Sequence, residues 1–165
     1  AIFFGLIYQG WNYVYYLLAA TPLKPYANDL TLGVWLMAGP VSALLLKKRN
    51  ACLIGELLAA ILEMFIFSSW GVATIISGLI QGLGSECGFA LTGYHHFDNR
   101  GLFLSIITAT LITFGWDLFQ SGYLHYPLHM LITLLLLRFI SIGIFAGITV
   151  AAIQKLLIKT KVVAA

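Results

Sequence analysis

The chain has 165 residues, 61% of them hydrophobic and only 9% charged, and its mean hydropathy is +0.96. A soluble domain carries roughly 25% charged residues. So much apolar surface excludes an aqueous globule of this size and makes lipid the natural solvent. A pI near 8.9 would suit a nucleic-acid binder, but the placement of the charges along the chain assigns that excess to membrane topology instead.

In chain order, polar and turn residues separate six apolar blocks, at about 2–20, 30–46, 51–67, 70–94, 102–121 and 128–154. Each approaches or exceeds the roughly 17–25 residues that a spanning helix needs. Spanning strands would instead alternate over segments of about 10 residues. The expectation is an all-α membrane protein, a six-transmembrane-helix bundle forming one integral domain over 1–165. The first connection, TPLKPYAND at 21–29, reads as a loop long enough to fold over something. KKRN at 47–50 is a tight basic turn, and Ser68-Ser69 is very short. HHFDNRG at 95–101 is polar, and GYLHYP at 122–127 is aromatic.

With the N-terminus inside, Lys47, Lys48, Arg49, Arg100, Lys155, Lys159 and Lys161 all fall on the cytoplasmic side, against Lys24 alone outside. That bias obeys the positive-inside rule and predicts cytoplasmic N- and C-termini. No role for nucleic acid remains.

Chemistry concentrates in the acids. Only Asp29 and Asp98 read as loop residues, whereas Glu56, Glu63, Glu86 and Asp117 lie inside apolar blocks. An acid at a helix centre costs roughly 2.5–3.5 kcal/mol on insertion scales, so four of them need either partners or a function. At about 1.5 Å of rise per residue, Glu63 and Asp117 fall near the outer ends of the third and fifth helices. Glu56 lies two turns beneath Glu63 on the same face. Gln81 falls near mid-membrane, and Glu86 is deeper still. The one cation within a block, Arg138, is the expected structural partner of Glu86, or else of Glu56.

Aromatic residues share the level of Glu63 and Asp117: Trp35, Trp70 and Trp116 within blocks, Tyr26 and Tyr123 in or beside outer loops. An interfacial belt explains such residues singly. Together with the acids they suit an aromatic box for a flat or cationic ligand. The expected substrate-binding set is therefore Glu63, Asp117, Glu56, Gln81, Trp35, Trp70, Trp116, Tyr26 and Tyr123, with 21–29 as a lid.

Gly78/Gly82 and Gly84/Gly88 form two GxxxG pairs, which let neighbouring helices approach closely. Cys52 and Cys87 make no CxxC pair and read as small buried hydrophobes. His95, His96 and Asp98 are a weak metal signal, so no metal and no cofactor is expected. Walker A, GxSxG, HExxH and Rossmann patterns are missing from the sequence, so this chain is not expected to hydrolyse ATP or to be an enzyme.

Four stretches, GELLAAILEMF (55–65), IQGLGSEC (80–87), WDLFQSGY (116–123) and LRFIS (137–141), occur in an order that resembles the YkoE family. These proteins are substrate-binding S components of energy-coupling factor (ECF) vitamin transporters. The resemblance runs from about Trp35 to Gly147; the first helix lacks the AxxxA-type interface of S components that share a common energising module. It implies a multi-pass bacterial cell-membrane protein that binds thiamine in an outward-facing pocket. Its partners would be a transmembrane coupling protein and two ATPase subunits. A hydroxymethylpyrimidine precursor is the alternative ligand. A self-sufficient proton-coupled carrier, using the acids as a relay, is the alternative mechanism.

Overall fold

The computed structural model describes residues 2–66 and 70–160. Residue 67 of the third expected block, the Ser68-Ser69 connection and Lys161 lie outside the described residues. The described chain is helical: α1 (Ile2–Ala19), α2 (Ala27–Trp35), α3 (Ala38–Leu46), α4 (Ala51–Phe65), α5 (Ala73–Leu91), α6 (Asn99–Gln120), α7 (Leu128–Ile142) and α8 (Val150–Lys159). α2 and α3 follow each other with a break at Leu36-Met37, and a π-helical segment, Gly143–Thr149, joins α7 to α8. Each expected apolar block thus coincides with helix, to within a few residues at its ends. By length and composition, the stretches Lys24–Leu46, Asn99–Gln120 and Leu128–Lys159 suffice to cross a membrane.

The loop expected at 21–29 is corrected. Lys24-Pro25-Tyr26 forms a single 3-10 turn and α2 begins at Ala27. Asp29 is therefore a helical residue in the first turn of α2, and it is fully buried.

α5 is the central element, packed against α4 on one side and α6 on the other, and its glycines show why. A Cβ at Gly78 would sit 2.4 Å from the Ala60 Cβ, and one at Gly82 3.1 Å from the Leu53 Cα. A Cβ at Gly84 would meet the Ala109 Cα at 3.0 Å, and one at Gly88 the Ser105 nitrogen at 2.1 Å. One GxxxG pair thus seats α4 and the other seats α6, as small-residue interfaces in lipid do.

Glu86, inside this stretch, has its own task. Its Oε1 accepts from the Asn50 amide at 2.8 Å, and its Oε2 accepts from Cys52 and Leu53 at 3.0 and 3.1 Å. The carboxylate satisfies the orphan N–H groups at the start of α4 and complements the positive end of that helix dipole. The expected Glu86–Arg138 pair does not form, because Glu86 finds its positive partner in a helix end. Arg138 belongs to a cluster at the opposite end of the bundle.

The two ends of the bundle differ in character. At one, Arg49 lies 5.3 Å over the Tyr94 ring, and Asp98 and Arg100 share a shallow groove with Gln154 and Ile158. This end gathers the basic residues that are described apart from Lys24 and Arg138. At the other end the chain assembles a cavity.

Candidate functional site

A cavity of about 430 Å³ opens between α1, α2, α4, α5 and α6. That volume lies within the roughly 300–1,000 Å³ range of small-molecule sites. Its polar lining includes Asn12, Asn28, Glu63, Thr74, Gln81 and Asp117, with Tyr8, Tyr15, Trp35, Trp70 and Trp116 as aromatic walls. Of the expected binding set, Glu63, Asp117, Gln81, Trp35, Trp70 and Trp116 come together here. Glu56, Tyr26 and Tyr123 do not line the cavity.

Glu63 lies two residues from the end of α4 and is nearly buried, at 4% exposure. Its Oε1 accepts from the Asn12 amide on α1 at 2.7 Å. Among the described residues, no Lys, Arg or His lies within ion-pair distance of it. The Asn12 carbonyl oxygen accepts from the Trp70 indole at 3.3 Å. One amide therefore sets both the carboxylate and an aromatic wall.

The aromatic side is continuous. Tyr15 meets Trp70 edge-on at 5.5 Å and Trp35 at 6.0 Å, while Tyr16 stacks on Trp70 at 6.2 Å. Such faces carry negative quadrupoles that attract cations and stack on flat rings. Gln81 donates its side-chain amide N–H to the Ser77 hydroxyl at 2.9 Å.

Asp117 sits differently. Its Oδ2 accepts from Arg138 Nη2 at 2.5 Å and from the Asn28 amide at 2.9 Å, and its Oδ1 from the Ser121 hydroxyl at 3.0 Å. Arg138 in turn donates its Nε to Asp29 Oδ1 at 2.6 Å. Tyr123 donates its hydroxyl to Asp29 Oδ2 at 2.7 Å. Arg138 is thus the partner of two carboxylates, neither of them Glu86 or Glu56. Its guanidinium lies 5.3 Å from the Phe114 ring centroid and 5.9 Å from that of Tyr123. Asp29 and Arg138 are both fully buried behind the cavity wall.

Glu56 has become a hinge pin of the scaffold. Its Oε1 accepts from the Tyr8 hydroxyl and its Oε2 from the Gly39 amide, both at 2.7 Å. The Tyr8 hydroxyl also accepts from the Ala38 amide at 2.9 Å. These bonds satisfy the N–H groups exposed where the chain restarts as α3. Burial of the carboxylate is offset by that service.

The acids drew attention in the sequence, whereas Asn12, Asn28, Tyr8 and Tyr15 did not. An amide inside an apolar block was the available signal for Asn12.

Three comparisons place the chain among known proteins. A family model described as "ABC-type cobalt transport system, permease component" matches residues 1–112. A Bacillus subtilis (strain 168) protein named "Putative HMP/thiamine permease protein YkoE" is 30% identical over 162 residues, covering 98% of this chain and 81% of that protein. A solved structure titled "Crystal structure of an S-component of ECF transporter" superposes with a TM-score of 0.90 at 28% identity, again over 98% of this chain and 81% of the other. The chain belongs to this transport-permease family as a YkoE-type S component of an ECF transporter, a membrane-embedded transport component and not an enzyme.

Proposed function

We propose that this S component captures thiamine from outside the cell. The observation that carries the reading is Glu63, a carboxylate facing an aromatic cavity with no cationic side chain at ion-pair distance among the described residues. Thiamine joins a flat aminopyrimidine to a cationic thiazolium. It supplies the missing positive charge, and two rings for Trp35, Trp70 and Trp116 to stack on. The related permease is named for HMP and thiamine together. The neutral pyrimidine precursor would leave Glu63 without a counter-charge, which favours thiamine. A divalent metal prefers several oxygen or nitrogen ligands, and of the two cavity carboxylates Asp117 is already committed to Arg138.

In this reading six helical stretches span the bacterial cell membrane. The basic end and both termini face the cytoplasm, in keeping with the positive-inside rule, and the cavity faces out. Import then requires a transmembrane coupling protein and two ATPase subunits, since the sequence carries no Walker A pattern.

Titration calorimetry with the detergent-purified protein tests the assignment. The wild type is expected to bind thiamine, and Glu63→Gln to bind it about a hundredfold more weakly, a difference of ~2.8 kcal/mol. Equal affinities in the two proteins would sink the charge assignment. Mass spectrometry of the copurified ligand would identify thiamine directly.

A further inference from the structure

The two cavity carboxylates have different electrical standing. Glu63 is held by an amide and has no cationic partner among the described residues, whereas Asp117 shares Oδ2 with the Arg138 guanidinium. We infer that Asp117 serves as an oriented hydrogen-bond acceptor for a neutral amine on the ligand, and that the buried Asp29–Arg138 pair is the positioning device that aims it. This inference rests on thiamine being the ligand.

The geometry of the cluster supports a division of labour. Arg138 is gripped from behind by Asp29, which is fully buried and does not line the cavity. The Tyr123 hydroxyl fixes the second oxygen of Asp29. The guanidinium fork, locked at Nε, presents Nη2 to Asp117 in one orientation. Ser121 and Asn28 complete the hold on Asp117, from its own helix and from α2. A carboxylate restrained at three points cannot swing toward an approaching cation, and it already touches a guanidinium, which it shares with Asp29. It still carries a free lone-pair position, since a carboxylate offers about four acceptor sites and three donors reach this one. It is therefore placed to meet a hydrogen-bond donor in a fixed direction rather than to follow a cation. Thiamine offers two neutral donors, the exocyclic amine of its pyrimidine and the hydroxyl of its hydroxyethyl arm; the amine is the one assigned to Asp117, and comparison with an analogue lacking the amine tests that choice. The cation is left to Glu63.

Two ligands separate the roles. Oxythiamine keeps the thiazolium but carries an oxo group where thiamine has the amine. Calorimetric affinities for thiamine and oxythiamine give a ratio that reads recognition of the amine-bearing edge of the pyrimidine, and its change in Asp117→Asn isolates the part that runs through Asp117. A hydrogen bond to a charged acceptor makes that ratio about ten- to a hundredfold in the wild type. Asp117→Asn should collapse it to within about threefold of unity by weakening thiamine. The double variant Asp29→Asn/Arg138→Met, which touches neither ligand, should collapse it too. Glu63→Gln should weaken both ligands and leave the ratio intact. General damage to the fold would lower both affinities together and preserve the ratio, so the ratio distinguishes positioning from mere structure. Should the double variant fail to fold, Tyr123→Phe removes one hydroxyl from Asp29 and should reduce the ratio several-fold. An unchanged ratio in Asp117→Asn, or in the double variant (Tyr123→Phe in its place), overturns the inference while leaving thiamine binding by the wild type standing. A wild type that binds neither ligand overturns the functional reading and this inference with it.

Discussion

Asn12 on α1 and Glu63 on α4 meet through a 2.7 Å hydrogen bond at the cavity wall. The amide has a second commitment, because its oxygen accepts from the Trp70 indole. Asn12→Leu removes both bonds while keeping similar volume. Thiamine affinity should fall about tenfold or more, in line with ~1.5–3 kcal/mol for a bond to a charged group. Calorimetry alongside a melting curve checks this, and a binding loss that merely tracks a fall in Tm would contradict it.

Glu56 should behave as a scaffold residue. Its two carboxylate oxygens satisfy the Tyr8 hydroxyl and the Gly39 amide, tying α1 and the start of α3 to α4. Glu56→Leu strands both donors in a buried site, at a cost of about 1–3 kcal/mol each. The variant should melt far below the wild type in detergent, whereas Glu56→Gln, which keeps one acceptor, should fall between them. Wild-type thermal stability in the leucine variant would refute the role.

Helix positions were legible in the sequence because hydropathy alone dictates them in lipid. Partner choice was not. Depth counting set Arg138 level with Glu86, but a helical side chain leans toward the N-terminus of its helix. For α7 that direction leads toward Asp117 and Tyr123, and a long guanidinium arm carries the charge farther. Asp29 was hidden by its neighbours: two prolines and a polar run look like a loop, yet the chain re-enters helix at Ala27 and carries Asp29 to Arg138. Glu86 was misassigned for a related reason, since the partial charge of a helix end leaves no charged letter in the sequence.

The glycines of α5 should be unequal to others in the bundle. At Gly88 an added Cβ would meet the Ser105 backbone at 2.1 Å, so α6 itself must move. At Gly115 on α6 the same atom would meet nothing within 4 Å. Gly88→Ala should cost about 1–3 kcal/mol or more through overpacking, seen as a lowered Tm. Gly115→Ala should leave the Tm unchanged or raise it slightly, since alanine is the better helix former. Equal responses at the two sites would contradict the packing described for α5.

Asp98, at the basic end, caps α6 from outside the membrane-spanning segments. Its Oδ1 accepts from the Arg100 amide at 2.8 Å and the Gly101 amide at 3.3 Å. The Arg100 bond chiefly holds its pKa below the ordinary value of 3.8, assisted by His96. A carboxyl whose folded-state pKa is depressed stabilises the fold fully above its unfolded value, and loses that contribution as pH falls through the depressed one. Loss should therefore begin below about pH 5 and be complete in the acid range beneath the folded pKa. Asp98→Ala should cost about 0.5–2 kcal/mol at neutral pH by loss of the cap. Asp98→Asn, itself a good cap, should retain most of the stability at neutral pH and lose this acid-dependent part. Melting curves from pH 7 down to pH 3 on the three proteins would decide the matter: identical acid sensitivity in wild type and Asp98→Asn would show that the carboxylate charge contributes nothing to holding the start of α6.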